Sequence, residues 1–225
     1  SMNDLAIKFL SNDYALHQII LIRAIISLII ILAVIALSRR SFRQLRTRRW
    51  SAHGFRVFIV MISNVTYFLG LSVMPLADAV ATAFIAPVLV TLMSAVILGE
   101  VVGPRRWAAV AVGLLGVLVM TRPGAGVIQP AAILVLISAF CYAGSHVMTR
   151  KMRDTESAMA LNFYVQIGFV LVSCAMGLWV GDGHLAQNGN ATLAFLFRPW
   201  VWPATADLWA FLGTGMAVGI GGLMM

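Results

Sequence analysis

Residues Met74 to Met120 read MPLADAVATAFIAPVLVTLMSAVILGEVVGPRRWAAVAVGLLGVLVM. Two apolar segments of membrane-spanning length are joined by a short turn carrying Pro104, Arg105 and Arg106, and few charges interrupt the rest. The stretch predicts a hairpin of two adjacent membrane helices. Its first helix is rich in small residues, Ala77, Ala79, Ala81, Ala83 and Ala86, ahead of Pro87. Helices in lipid gain nothing by hiding apolar surface from one another, so they pack through small side chains that let backbones approach. Pro87 removes one helical hydrogen bond near mid-span and is expected to bend the rod. In the second helix Ala109, Gly113 and Gly116 recur at i, i+4 and i+7, a small-residue packing face.

The rest of the chain has the same character. Of 225 residues 61% are hydrophobic and 11% charged, and the mean hydropathy is +0.94. A soluble domain carries charge on about a quarter of its residues, so this is an all-α polytopic membrane protein. Cys141 and Cys174 both lie in apolar segments and read as buried thiols; neither a disulfide framework nor a metal site is supported.

Full spans are expected at Ala15 to Ser38, Gly54 to Met74, Leu76 to Leu98, Trp107 to Met120, Ile128 to Thr149 and Ala158 to Val180. The opening SMNDLAIKFL is apolar but reaches only about half way across a core roughly 30 Å thick, and no small-residue cleavage site follows it as in a signal peptide. Leu208 to Met225 stops inside an apolar run. Both ends read as cut helices, which gives eight spans, two of them partial.

The loops alternate in charge. One set holds Arg39, Arg40, Arg43, Arg46, Arg48, Arg49 and Arg56, then Arg105 and Arg106, then Arg150, Lys151 and Arg153; the other holds Arg122 and Arg198. Lys and Arg are retained in the cytoplasm, so the first set is inside. The net charge of +8 is thus a topology signal, and no nucleic-acid partner is expected. Trp50 and Trp107 fall at the inner boundary, and Trp179, Trp200, Trp202 and Trp209 at or near the outer one. The one long connection, Gly181 to Pro203, is outer; its turn-rich first part and aromatic second part predict a loop that dips back onto the interface. The Asn190-Ala191-Thr192 pattern within it matches a glycosylation acceptor, which would be meaningless in a bacterial protein.

At the hairpin the chain becomes recognisable. Pro75, Ala77, Ala79, Phe84 and Pro87, then Leu98-Gly99-Glu100, then Gly113 and Gly116 before an apolar tail, closely resemble the signature of EamA-type transporters of the drug/metabolite transporter superfamily. The resemblance implies a ten-helix fold of two five-helix units with inverted topology. On that pattern residues 1–122 hold the first unit, with helix one partial, and 123–225 hold helices six to eight of the second, cut before helices nine and ten. A register with residue 8 on residue 151 agrees: Lys8 falls on Lys151, Asp13 on Glu156, Ala15 on Ala158 and Arg23 on Gln166.

Polar residues inside spans are costly unless they face a cavity or a partner, so they mark the candidate site. Arg23 lies near mid-membrane, and Asp4 at similar depth. Either they form an ion pair that holds two helices together, or Arg23 receives the acidic group of a substrate. Asn64 and Tyr67 share a face of the third span; Ser138, Tyr142 and Ser145 line the sixth; Asn162, Gln166 and Ser173 line the seventh. Substrate contacts are expected at Arg23, Asn64, Tyr67, Tyr142, Asn162 and Gln166 around a polar central cavity. Interhelical hydrogen bonding is the structural alternative for each.

No catalytic group is identified. Ser145 and His146 are helix neighbours that point about 100° apart and form no dyad. His17 and His184 fall in outer loops or at helix ends, His53 in the inner basic loop, and none has a metal-ligand companion at useful spacing. There is no phosphate-binding glycine loop. Gly213, Gly215, Gly219, Gly221 and Gly222 read as packing and hinge sites of the last helix. The expected function is secondary transport of a small metabolite across the bacterial inner membrane, without a cofactor. The partners are that substrate, the lipid bilayer and, as an allowed assembly, a second copy in a homodimer. A membrane-embedded enzyme would need two reactive groups converging at one depth; a scaffold or sensor would have a sealed centre.

Overall fold

The computed structural model describes residues 2–37, 42–121, 130–181, 195–205 and 207–223. Arg39, Arg40, Ser41, Arg122, His184 and the Asn190-Ala191-Thr192 pattern lie outside them. Among the described residues every regular element is helical: α1 (Met2–Leu10), α2 (Leu16–Leu37), a 3₁₀ turn (Phe42–Leu45), α3 (Trp50–Val73), α4 (Leu76–Ala83), α5 (Ala86–Leu98), α6 (Pro104–Thr121), α7 (Pro130–Met152), α8 (Ala158–Val180) and α9 (Leu208–Leu223). Among the described residues five spans are long and apolar enough to cross a membrane: Leu16–Leu37, Trp50–Val73, Leu76–Leu98, Ala131–Met152 and Ala158–Trp179. Large apolar side chains such as Ile29, Phe58, Val112, Phe140 and Leu178 are exposed while Arg23 and Gln166 are buried, the reverse of a water-soluble protein. The chain is a multi-pass membrane protein.

The helix ends follow from local chemistry. Pro87 does more than bend its span: α4 stops at Ala83 and α5 restarts at Ala86, with Pro87 in the first turn where its missing N–H leaves no helical bond broken. Gly99 ends α5 at φ 67°, a left-handed conformation that glycine adopts without strain, and Pro104 opens α6. Ser157 caps α8, its hydroxyl accepting from Ala160 N–H at 3.0 Å. The sequence reading placed the start of the third span at Gly54, with His53 in the loop. The helix begins at Trp50 instead, after a turn in which Thr47 Oγ1 accepts from Arg49 N–H at 2.9 Å, so His53 sits on its first turn.

Packing divides the chain into two compact units, Ser1–Val57 with Thr155–Met225, and Phe58–Asp154. The boundary falls inside α3. In the first unit α2 packs on α8 and α9, and α1 packs on α9. A side chain at Gly215 would meet Ile26 within 2.6 Å, and one at Gly219 would meet Ile30 within 3.0 Å, so two glycines one turn apart seat two isoleucines of α2. Gly222 abuts the Asn162 amide and Gly168 abuts Val57, whereas Gly213 and Gly221 face open space. In the second unit α7 packs on α4 and α5, and α6 on α4 and α5. Gly70 of α3 lies against Val135 and Ala131 of α7.

Residues 195–205 fold back over the C-terminal end of α1 and the N-terminal end of α2. Gln18 donates to Val201 O at 2.5 Å, the Tyr14 hydroxyl donates to Asp207 at 2.6 Å, Arg198 donates to the carbonyl of Asn12, and Trp200 stacks on His17. The Asp207 carboxylate pushes the Tyr14 phenol pKa above its ordinary value. At the other end, Thr47 donates to Glu156 at 2.6 Å, Ser157 to Gln44 O at 2.9 Å and Tyr164 to Leu45 O at 2.8 Å. Each contact joins segments that loop charge assigns to one side of the membrane.

Candidate functional site

The candidate residues fall into two groups, one in each unit. Arg23 of α2 is 3% exposed, and its guanidinium carbon lies 5.6 Å from the Phe169 ring centre of α8, within cation–π range. Gln166, 1% exposed, donates through Nε2 to Asn162 Oδ1 at 3.3 Å, one turn away on α8. Ser27, one turn beyond Arg23, is fully buried, and so are Ser173 of α8 and Thr214 of α9. The α2 face of Arg23 and Ser27 thus meets the α8 face of Asn162, Gln166 and Phe169 in the interior of a membrane unit. Ser27 Oγ, Asn162 Nδ2 and Gln166 Oε1 are buried with no hydrogen-bond partner among the described residues. A polar atom left unbonded in a low-dielectric interior costs about 1–3 kcal/mol, so three in one cluster call for a reason. Swapping the amide oxygen and nitrogen assignments of Asn162 and Gln166 still leaves one donor and one acceptor unmet.

The second group makes contacts within its own unit. Ser63 of α3 and Ser138 of α7 form a reciprocal clasp: Ser63 Oγ donates to Ser138 O at 3.0 Å, and Ser138 Oγ donates to Ser63 O at 2.7 Å. Asn64 bonds the carbonyl of Val60 on its own helix at 2.9 Å, and Tyr67 sits edge-on to Phe68. Tyr142 is 44% exposed with its ring against His146, and Ser145 donates to Tyr142 O at 2.7 Å. The stripe of Ser138, Tyr142 and Ser145 therefore divides between an interhelical clasp, an exposed ring and a bond within its own helix.

A third cluster includes none of the residues singled out from the sequence as substrate contacts. His53 is buried with Nε2 3.5 Å from Glu156 Oε2 and its ring on Tyr164, while Arg56 donates to Leu161 O at 2.8 Å. His53 and Glu156 lie over a hundred residues apart, so spacing could not pair them; the one available signal was Glu156 itself, an acid just before the start of a span.

Comparison with known proteins bears on the same helices. The profile of the EamA-like transporter family matches residues 1–122. The S-adenosylmethionine uptake transporter of Rickettsia prowazekii is 25% identical over 208 residues, covering 88% of this chain and 70% of that protein. The riboflavin transporter of Rhizobium johnstonii is 28% identical over 181 residues, covering 80% of this chain and 59% of that protein. A riboflavin transporter of Vibrio cholerae is 28% identical over 124 residues, 55% of this chain and 42% of that protein. The chain therefore spans between two fifths and seven tenths of the length of these relatives. Their names point to transport rather than to enzymatic chemistry.

Proposed function

The chain belongs to the EamA-like transporter family, and from that premise we propose that the protein is a secondary active transporter. It moves a small metabolite, an amino acid, nucleoside or cofactor-like compound, across the bacterial inner membrane by alternating access. The observation that carries this reading is the buried polar face of α2 and α8. A cation, two amides and a serine hydroxyl held inside a membrane unit are costly as mere packing, and they suit a ligand that brings its own polar groups. S-adenosylmethionine and riboflavin, the cargoes named for the relatives, are of the cofactor-like class. Arg23 receives an acidic group, and Asn162 and Gln166 read a donor and an acceptor. The structural rival for Arg23 is a pair with Asp4.

A ten-helix fold with inverted halves, 1–122 and 123–225, belongs to the same proposal. Two packing relations support it. Span one packs on span eight (α1 on α9) and span six packs on span three (α7 on α3), which the duplication makes equivalent pairs. Arg23 and Gln166, matched in the repeat register, are both buried where α2 meets α8. The test is uptake of labelled S-adenosylmethionine and riboflavin into proteoliposomes holding the full-length protein. Gln166→Leu is expected to keep the protein folded and to lower transport roughly tenfold, a hydrogen bond's worth of binding. Unchanged transport of a substrate that the wild type carries would refute this site.

A further inference from the structure

A groove in the second unit is separate from the polar cluster. It lies between α5 and α6 with a volume of about 410 Å³, and Val88, Thr91, Arg106, Ala109, Gly113 and Gly116 line it. The small residues of α6 are what open it: a Cβ at Gly113 would already touch Val88 at 3.4 Å, while one at Gly116 would meet nothing. From Arg106 to Gly116 the groove follows α6 for ten residues, about 15 Å at 1.5 Å per residue. One leaflet of a hydrocarbon core roughly 30 Å thick has that depth. Its inner end continues into a polar recess of about 240 Å³ shared by Thr91 and Arg106 and bordered by Ser94, Glu100 and Arg150.

Charge decides what fits. Glu100 is paired with Arg150 at 2.8 Å and 3.1 Å, and the Thr91 hydroxyl bonds Pro87 O. Arg105 and Arg106 have no ion-pair partner among the described residues, so the mouth is cationic. Val101 is 95% exposed beside it and Trp107 is half exposed, the dress of a turn set in the membrane interface. The loop-charge topology puts this mouth in the inner leaflet, whose anionic lipids are drawn to basic residues at about 1 kcal/mol each.

We propose that the α5–α6 groove is a binding site for one anionic phospholipid of the inner leaflet, with an acyl chain against Val88 and Gly113 and its phosphate at Arg106. The test uses full-length protein reconstituted in phosphatidylglycerol and phosphatidylcholine vesicles, then extracted and weighed by native mass spectrometry. One retained phosphatidylglycerol per chain, preferred over phosphatidylcholine, is the expected result. Arg106→Gln should lower that retention about fivefold, and Gly113→Leu should remove it. Brominated phosphatidylglycerol supplies a second readout that needs no groove variant: it should quench Trp107 more than brominated phosphatidylcholine does, the excess vanishing in Trp107→Phe. Equal retention and quenching by the two lipids, or a groove filled by another helix of the full-length protein or by a second copy, would overturn the assignment.

Discussion

The two packing units use the same device for bringing helices together and differ in what they bury. Gly215 and Gly219 admit Ile26 and Ile30 in one, and Gly70 admits Val135 in the other. Around the second contact Ser63 and Ser138 bond each other's helix, and Asn64 bonds its own. Around the first, Arg23 is enclosed and Ser27, Asn162 and Gln166 each keep an unmet atom. In hydrocarbon a polar group satisfied within the helix pair is adhesive, whereas one left unmet stores a demand that a ligand can supply. On the proposed reading the first cluster is the site and the second is scaffold.

The contrast breaks most visibly at the glycines. Gly215→Leu forces a branched side chain into Ile26 and should cost several kcal/mol, at or beyond the usual overpacking range of about 1–3 kcal/mol. Gly213→Ala, with open space around it, should leave the melting temperature level or slightly raised. Size-exclusion profiles of heated samples measure both. Equal losses would mean that the close α2–α9 approach is not what holds the first unit.

Next in size is the pair that sharpens the division between scaffold and site. Ser63→Ala should lower stability by about 0.6 kcal/mol, the mean for an interhelical bond in a membrane, and leave transport intact. Gln166→Leu should do the opposite, costing transport while leaving the melting temperature unchanged or higher, since one buried orphan is removed. A comparable effect is expected at Glu100→Gln, under about 1 kcal/mol and shrinking with added salt, because the Glu100–Arg150 pair is more than a third exposed on both sides.

An effect of similar size belongs to the strap of residues 195–205 with Asp207 over α1 and α2. Tyr14→Phe removes the bond to Asp207 and should cost about 1 kcal/mol near neutral pH. Because folding raises the Tyr14 pKa, this stabilisation is complete below the phenol's ordinary range and is lost as pH rises through the raised value. Thermal scans of wild type and variant from neutral to strongly alkaline pH should therefore converge only at the alkaline end.

How much of this could be read from the chain depends on the range of the cause. Span positions follow from runs of apolar residues, and α8 falls at Ala158–Val180 where the sequence put it. The break at Pro87 and the seating glycines were visible as local chemistry, although only the fold tells Gly215 and Gly219, which touch Ile26 and Ile30, from Gly213 and Gly221, which touch nothing. Arg23 and Gln166 stood out because polarity inside a span is rare. Asn64 stood out for the same reason, and its bond to Val60 is a backbone geometry that no spacing rule separates from a ligand contact. The His53–Glu156 contact was hidden because it depends on the loop 42–49 folding over the start of α8.

The central claim, that the α2–α8 cluster serves a substrate, meets its most direct test at Arg23. The measurement is transport by Arg23→Gln in the full-length protein, set beside its folded yield and beside the double variant with Asp4→Asn. The account predicts a folded, membrane-inserted protein whose transport is lost, with no rescue from the Asp4 change and little from Arg23→Lys, which restores charge but not the two-pronged hold on a carboxylate. Wild-type transport by Arg23→Gln, or a loss of stability that Asp4→Asn repairs, would contradict it.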